Sequence, residues 1–294
     1  MFCRLHKNHV AANTNGMRNL LQKICSYSFS LALLFATACA PSAPENSLEP
    51  LPQNPAEIPL ESTPAPVQEF WDTEDTDISF VDEKRNHIAF TFDDSPSKTL
   101  ERIVGVFLDY NRENPDCPAC CTVFSNCIYL NEHTLAPLQA AFAAGFELGN
   151  HSYSHKNLAQ LEKEELLWEL EENDRLLQGI DGKPLHLLRA PYGSVNAQVK
   201  ELSKTPVIDW NIDTLDWAGK TADEIYQTVF SEKSDGAIVL MHDGYEHTVE
   251  ALKKLLPDLK AAGYQVVSVS QLSKIHRCPL RIGGLYTRAR RKTS

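Results

Sequence analysis

From residue 87 onward, apolar runs alternate with stretches in which apolar residues recur every three or four positions. The runs are HIAFTF (87–92), CCTVFS (120–125), FELGN (146–150), LHLLRA (185–190), PVIDWNI (206–212), GAIVLM (236–241) and YQVVSV (264–269). Each is short, bounded by polar or turn-forming residues, and suits a buried strand. Between them Leu100, Ile103, Val104, Phe107 and Leu108 fall at helical spacing, as do the apolar positions of KEELLWELEENDRLLQGI, ADEIYQTVFSEK and TVEALKKLLPDLKAAG. A repeated strand, helix, strand order with about 30 residues per unit predicts a parallel α/β sheet. Its closed form is a (β/α) barrel of about seven parallel strands with one strand missing or irregular; an open doubly wound sheet is the alternative.

The pattern is absent before residue 71. Residues 1–38 carry Arg4, Lys7, Arg18 and Lys23 but no acid, and lead into FSLALLFATA ahead of Cys39. This is the layout of a secretory signal, with Met17 as a second start that would give a signal of conventional length. The apolar core is too short to span a bilayer, which takes about 20 residues. ATAC resembles the lipobox of bacterial lipoproteins, so Cys39 is a candidate lipidation site and the expected location is exported and membrane-anchored through an N-terminal lipid. Residues 39–70 are rich in Pro, Ala, Ser and Glu, cannot bury a core, and suit an extended tether. Residues 71–276 have globular composition, and the basic tail 277–294 reads by default as a frayed end. The net charge is −11 and becomes more negative once the basic leader is removed, which argues against nucleic acid as a partner. The chain is expected to act as a monomer.

The chemistry-bearing residues follow the strands. Asp93 and Asp94 follow the first, His151 and His155 the third, Arg189 and Tyr192 the fourth, Asp213, Asp216 and Trp217 the fifth, His242 and Asp243 the sixth. In a parallel barrel the C-terminal strand ends share the face on which active sites are built. Adjacent carboxylates repel each other and raise each other's pKa unless something offsets the charge. Two imidazoles four residues apart in HSYSH, with one carboxylate, make a three-ligand site for a divalent ion of the zinc class with a position left for water. One Asp of the pair would be a ligand and the other a base.

These motifs together resemble the polysaccharide deacetylases of the NodB-homology family, carbohydrate esterase family four. TFDDSP is similar to that family's TFDDGP, HSYSH to H(S/T)xxH, RAPYG to RxPYG, DTLDW to DxxDW and IVLMHD to IVLxHD, all in family order. The resemblance implies a distorted (β/α) barrel that removes N-acetyl, less readily O-acetyl, groups from an acetylated polysaccharide with one divalent ion, zinc first and cobalt or nickel as alternates. It implies Asp93 as general base, held by Arg189, and Asp94, His151 and His155 as metal ligands. His242 would be the general acid, paired with Asp216. The Tyr192 backbone N–H would stabilise the oxyanion, and Trp217 and Leu240 would wall the acetyl pocket. A non-catalytic carbohydrate-binding relative and another metal-dependent barrel hydrolase are the competing readings, and the glycan stays open.

Two further expectations concern structure. Ser95 stands where the family has Gly; were that position to need positive φ, Ser would cost roughly 1–2 kcal/mol of strain, with a contact to Asp94 as the alternative use of its hydroxyl. Setting aside Cys3, Cys25 and Cys39 leaves Cys117, Cys120, Cys121, Cys127 and Cys278, an odd count that implies a free thiol or an intermolecular bond in an exported protein. A disulfide within the loop before the second strand is expected. Cys121 and Cys127 should not pair if one strand runs through both, because six extended residues span about 20 Å.

Overall fold

The computed structural model describes residues 69–290. The leader, Cys39, all but the end of the tether and the last four residues lie outside the described part. Eight strands form: β1 (Asn86–Ser95), β2 (Thr122–Ser125), β3 (Glu147–Asn150), β4 (Val207–Ile208), β5 (Ile212–Asp213), β6 (Ala237–His242), β7 (Tyr264–Val267) and β8 (Leu285–Tyr286). Seven helices accompany them: α1 (Leu100–Glu113), α2 (Leu135–Ala143), α3 (Lys163–Asp181), α4 (Ala197–Leu202), α5 (Ala222–Glu232), α6 (Glu246–Ala261) and α7 (Val269–Ile275).

All the strand ladders are parallel. The order is β3-β2-β1-β6-β5, with β7 pairing to the first half of β1 and β4 to β8. Single parallel bridges at Leu188, to Asn150 and to Val207, carry the order from β3 to β4. The chain is thus a distorted (β/α) barrel. β1 is central and buried along nearly its whole length, including Ile88, Ala89, Phe90 and Phe92, so it reads as a continuous apolar run and not as an alternation.

Several elements differ from the sequence pattern for identifiable reasons. The expected strand over 206–212 is split into β4 and β5 because the buried Arg189 side chain turns the chain between them. Its Nε donates to the Ile208 carbonyl at 3.1 Å and its Nη2 to the Asp209 carbonyl at 3.1 Å. The expected strand over 185–190 narrows to bridges at Leu188. On α1, Leu100, Ile103, Val104 and Phe107 are buried as expected, but Leu108 is 48% exposed and Tyr110 takes the next inward position. The tail does not fray over 277–290: β8 pairs with β4, Arg288 bridges to Ala237, and Leu280 and Ala289 are buried. The expected disulfide is also absent; all five cysteines are thiols. Cys120 Sγ donates to the Gly145 carbonyl at 2.9 Å, and burial, with Glu147 nearby, pushes its pKa up to about 12. Burial likewise raises Cys121 and Cys127, so these thiols are packing groups.

Candidate active site

The strand register brings the motifs together. Asp93 on β1 lies directly beside His242 on β6, and Asp243 N–H donates to the Asp93 carbonyl at 2.9 Å. The loop after β3 supplies His151 and His155, and the bridge at Leu188 delivers Arg189 beside them. Four residues at these loops that are not glycine have left-handed backbones: Asp94 (φ 63°), Ser152 (62°), His155 (60°) and Tyr192 (63°). Such conformations cost about 1–3 kcal/mol each and cluster where a site must aim its side chains.

Asp94, His151 and His155 place their ligand atoms within 4.8 Å of one another. Asp94 Oδ1 is 3.4 Å from His155 Nε2 and 3.8 Å from His151 Nε2. Two atoms bound to one tetrahedral zinc at about 2.0–2.1 Å sit about 3.3–3.4 Å apart, so modest closure completes the set. The other ring nitrogens are engaged elsewhere. His151 Nδ1 donates to the Arg189 carbonyl at 2.7 Å, and His155 Nδ1 is 3.2 Å from the Tyr192 hydroxyl. That leaves a lone pair on each Nε2 facing Asp94, the outer-shell arrangement of ligating imidazoles. Burial, aided by the neighbouring His151, lowers the pKa of His155 and keeps it neutral as a ligand must be. The residues therefore fit a divalent ion.

Asp93 has a different environment. It is 3% exposed, and Arg189 Nη1 donates to its Oδ1 at 2.9 Å. Burial would raise its pKa, but the charge of Arg189, with His151 and His242, outweighs it and holds the carboxyl below its ordinary value. Arg189 is itself fully buried over the Phe124 ring, 4.3 Å from its centroid, and also donates to Thr91 Oγ1 at 2.5 Å. Opposite it, Asp216 Oδ1 accepts from His242 Nδ1 at 2.7 Å. Asp216 Oδ2 accepts from the His242 N–H at 2.8 Å and Thr248 Oγ1 at 2.7 Å. Burial pulls the pKa of His242 down, but Asp216, Asp93 and Asp94 together raise it above 6.5. The carboxyl is thus pushed toward its ionised form and the imidazole toward its protonated form on neighbouring strands, the divergence of environments that acid–base chemistry needs.

Tyr192, whose ring meets that of His155 edge to face at 4.7 Å, and Trp217, next to Asp216, are 69% and 54% exposed. Leu240 is 3% exposed within β6, where its carbonyl accepts from Thr214. Asp213 stays in β5 and accepts from the Leu215 N–H, so it is a turn former. Ser95 is not among the residues of positive φ; that conformation falls on Asp94. Its hydroxyl donates to Asp243 at 3.2 Å, not to Asp94. Asp243 also accepts from Ser97 N at 2.6 Å, Ser97 Oγ at 2.7 Å and Thr99 Oγ1 at 2.6 Å. This clamp, and the hold of Thr248 on Asp216, were missed by the motif reading; the signal available was the run SPSKT directly after the Asp pair. A cavity of about 340 Å³ lined by residues including Trp71, Asp72, Lys183 and Lys204 contains none of the clustered residues.

Comparison with known proteins agrees with this geometry. Residues 81–207 match the family described as polysaccharide deacetylase. The chain is 30% identical over 197 residues to the peptidoglycan-N-acetylmuramic acid deacetylase PdaC of Bacillus subtilis, covering 67% of this chain and 41% of that protein. The solved structure of PdaC superposes with a TM-score of 0.60 at 29% identity, covering 67% of this chain and 94% of that one. A peptidoglycan-N-acetylglucosamine deacetylase of Bacillus cereus is 31% identical over 194 residues, 63% of this chain and 87% of that protein. A family 4 acetyl xylan esterase from Clostridium thermocellum, solved with a cobalt ion, shares the fold with a TM-score of 0.61 at 24% identity, covering 69% and 98%.

Proposed function

Because this chain belongs to the polysaccharide deacetylase family, we propose that its strand-end cluster hydrolyses acetyl groups, N-acetyl before O-acetyl, from a cell-envelope polysaccharide, with peptidoglycan as the leading substrate. The substrate class rests on the relatives, two of which are peptidoglycan deacetylases by name. The mechanism rests on one observation above all: Asp93 and His242 are register partners on adjacent strands, the first held by Arg189 and the second by Asp216, contacts that lower the pKa of the carboxyl and raise that of the imidazole.

Asp94, His151 and His155 would hold a divalent ion, zinc first, which when bound supplies Lewis-acid polarisation of the acetyl carbonyl and acidifies water. Asp93, acceptor-only and fixed by Arg189, takes a proton from the attacking water. The backbone N–H of Tyr192 donates to the oxygen on which negative charge develops. His242, with Nδ1 held by Asp216, gives the Nε2 proton to the departing sugar amine as the carbon–nitrogen bond breaks, leaving acetate and the free amine. An unprotonated amine is a poor leaving group, so a positioned acid is typically worth 10²–10⁴-fold. The exposed rings of Tyr192 and Trp217 suit stacking on sugar faces.

The proposal extends to location, a domain outside the cytoplasm on a lipid anchor with the Pro-rich tether giving it reach; the basic leader and the ATAC run ending at Cys39 support it. Lipid on Cys39, detergent partition of the mature chain and release by Cys39→Ser are expected. Activity is tested by acetate release from peptidoglycan, chito-oligosaccharide and acetylated xylan, before and after chelation and with zinc, cobalt or nickel restored. Loss on chelation and recovery on addition are expected. Full activity in metal-free protein would refute the metal role, and no acetate from any substrate would refute the function.

A further inference from the structure

β1 and β6 carry a second cluster at their opposite ends. His87 is the second residue of β1, Asp235 lies two residues before β6, and His276 caps the C-terminus of α7. One ligand atom of each falls within 4.8 Å of the other two, as in the Asp94 cluster. His87 and Asp94 are seven residues apart on one strand, which places the two clusters roughly 23 Å apart. The second cluster therefore belongs neither to the catalytic face nor to the proposed reaction.

We infer that His87, Asp235 and His276 form a second, structural site for a divalent cation of the zinc class. The donor set is two imidazoles and one carboxylate, the chemistry that suits zinc. His276 Nε2 lies 3.3 Å from Asp235 Oδ1, the separation of two ligands on one tetrahedral zinc, about 3.3–3.4 Å. His87 Nε2 sits 3.1 Å from the Asp82 carbonyl, a contact that orients the ring as the Arg189 carbonyl orients His151. Asp235 Oδ1 accepts from the His87 N–H at 2.8 Å, so the carboxylate is aimed by the same residue whose ring faces the cluster.

The surroundings show a built site. His87 and His276 are 0% and 2% exposed, and their rings meet edge to face at 5.9 Å. Gly236, at φ 83°, lets the Arg288–Ala289 segment cross so closely that a Cβ there would lie 1.8 Å from the Ala289 carbonyl oxygen and 3.3 Å from His276 Cε1. Asp235 keeps a side chain 32% exposed, an entry path for an ion. The cation would tie the start of β1, the approach to β6 and the end of α7 at the N-terminal ends of the strands, opposite the Asp94 cluster. The ordinary alternative is a protonated His276 paired with Asp235, which needs no metal.

The two are separated by counting metal without any reference to activity. Metal-stripped full-length protein is titrated with zinc chloride by calorimetry, in the wild type, in an Asp94→Ala/His151→Ala/His155→Ala variant, and in Asp235→Asn, which keeps an acceptor for the His87 N–H. Two equivalents are expected in the wild type, one in the triple variant and one in Asp235→Asn. Adding Asp235→Asn or His276→Ala to the triple variant should weaken the remaining binding at least tenfold, and cobalt in the triple variant should show a tetrahedral visible spectrum. One equivalent in the wild type with unchanged stoichiometry in Asp235→Asn would overturn the inference whether or not the triple variant folds.

Discussion

Replacing Asp216 with Asn removes a negative charge that is wholly buried and 2.7 Å from His242 Nδ1. Unit charges about 4 Å apart interact by about 4 kcal/mol at an effective dielectric of 20, and one pKa unit is about 1.4 kcal/mol. Asp93 and Asp94 still support the imidazolium while burial opposes it, so the pKa of His242 should fall by about 1–3 units. The sign follows from its role. A general acid works while protonated, so activity is lost as pH rises through its pKa, and under the proposed role the raised value in the wild type should hold activity to higher pH. In Asp216→Asn the alkaline limb should move toward acid by the same 1–3 units, with kcat lower by about 10²–10⁴ at neutral pH. The amide oxygen can still accept from Thr248 and from the His242 N–H, which limits damage to the fold. The assay is kcat/KM on an N-acetylated chito-oligosaccharide, or whichever substrate proves active, from about pH 5 to about pH 10 at fixed zinc. An alkaline limb that does not move, with the fold intact, would refute His242 as the acid poised by Asp216.

Asp93→Asn should bind metal nearly as the wild type does yet lose most turnover, because an amide cannot take a proton from water; Asp94→Asn should weaken metal affinity, and excess metal should restore part of its rate. Calorimetry beside initial rates decides, and the reverse pattern would exchange the two roles. Ser95→Gly should change stability by less than about 1.5 kcal/mol, since Asp243 keeps its other donors, whereas Asp243→Ala orphans buried donors at about 1–3 kcal/mol each; it should also loosen zinc binding by releasing the loop that holds Asp94. Denaturant unfolding and zinc titration of both variants check this, with equal effects counting against the clamp. His186 donates to Asp174 at 2.8 Å and lies 3.2 Å from Asp181; burial lowers its pKa but these carboxylates raise it above 6.5 on balance. The charged form then stabilises the fold fully below about 6.5 and loses that contribution as pH rises through the folded value. His186→Gln should therefore cost more at about pH 5.5 than at about pH 9 in urea unfolding; an equal cost at both would exclude the ion pair as the cause.

What could be read along the chain was whatever depends on local chemistry and order. The alternation of apolar runs with 3.6-period stretches determined a parallel α/β architecture, because buried strands and half-buried helices need different apolar spacing. The placement of Asp93, Asp94, His151, His155, Asp216 and His242 after the first, third, fifth and sixth expected strands determined that they share one face, because parallel strands all end on the same side. Tertiary structure decided the rest. Whether 206–212 is one strand or two depends on Arg189, which arrives from another element and claims two of its carbonyls. The hydroxyl of Ser95 goes to Asp243, which is distant in sequence and adjacent only because β1 pairs with β6. The cluster of His87, Asp235 and His276 was invisible for the same reason. Its members are scattered along the chain in no recognisable spacing, and only the register of β1 with β6 and the end of α7 brings them together. Periodicity reports what each segment prefers, but a contact between distant residues is set by packing, and packing is a property of the whole fold.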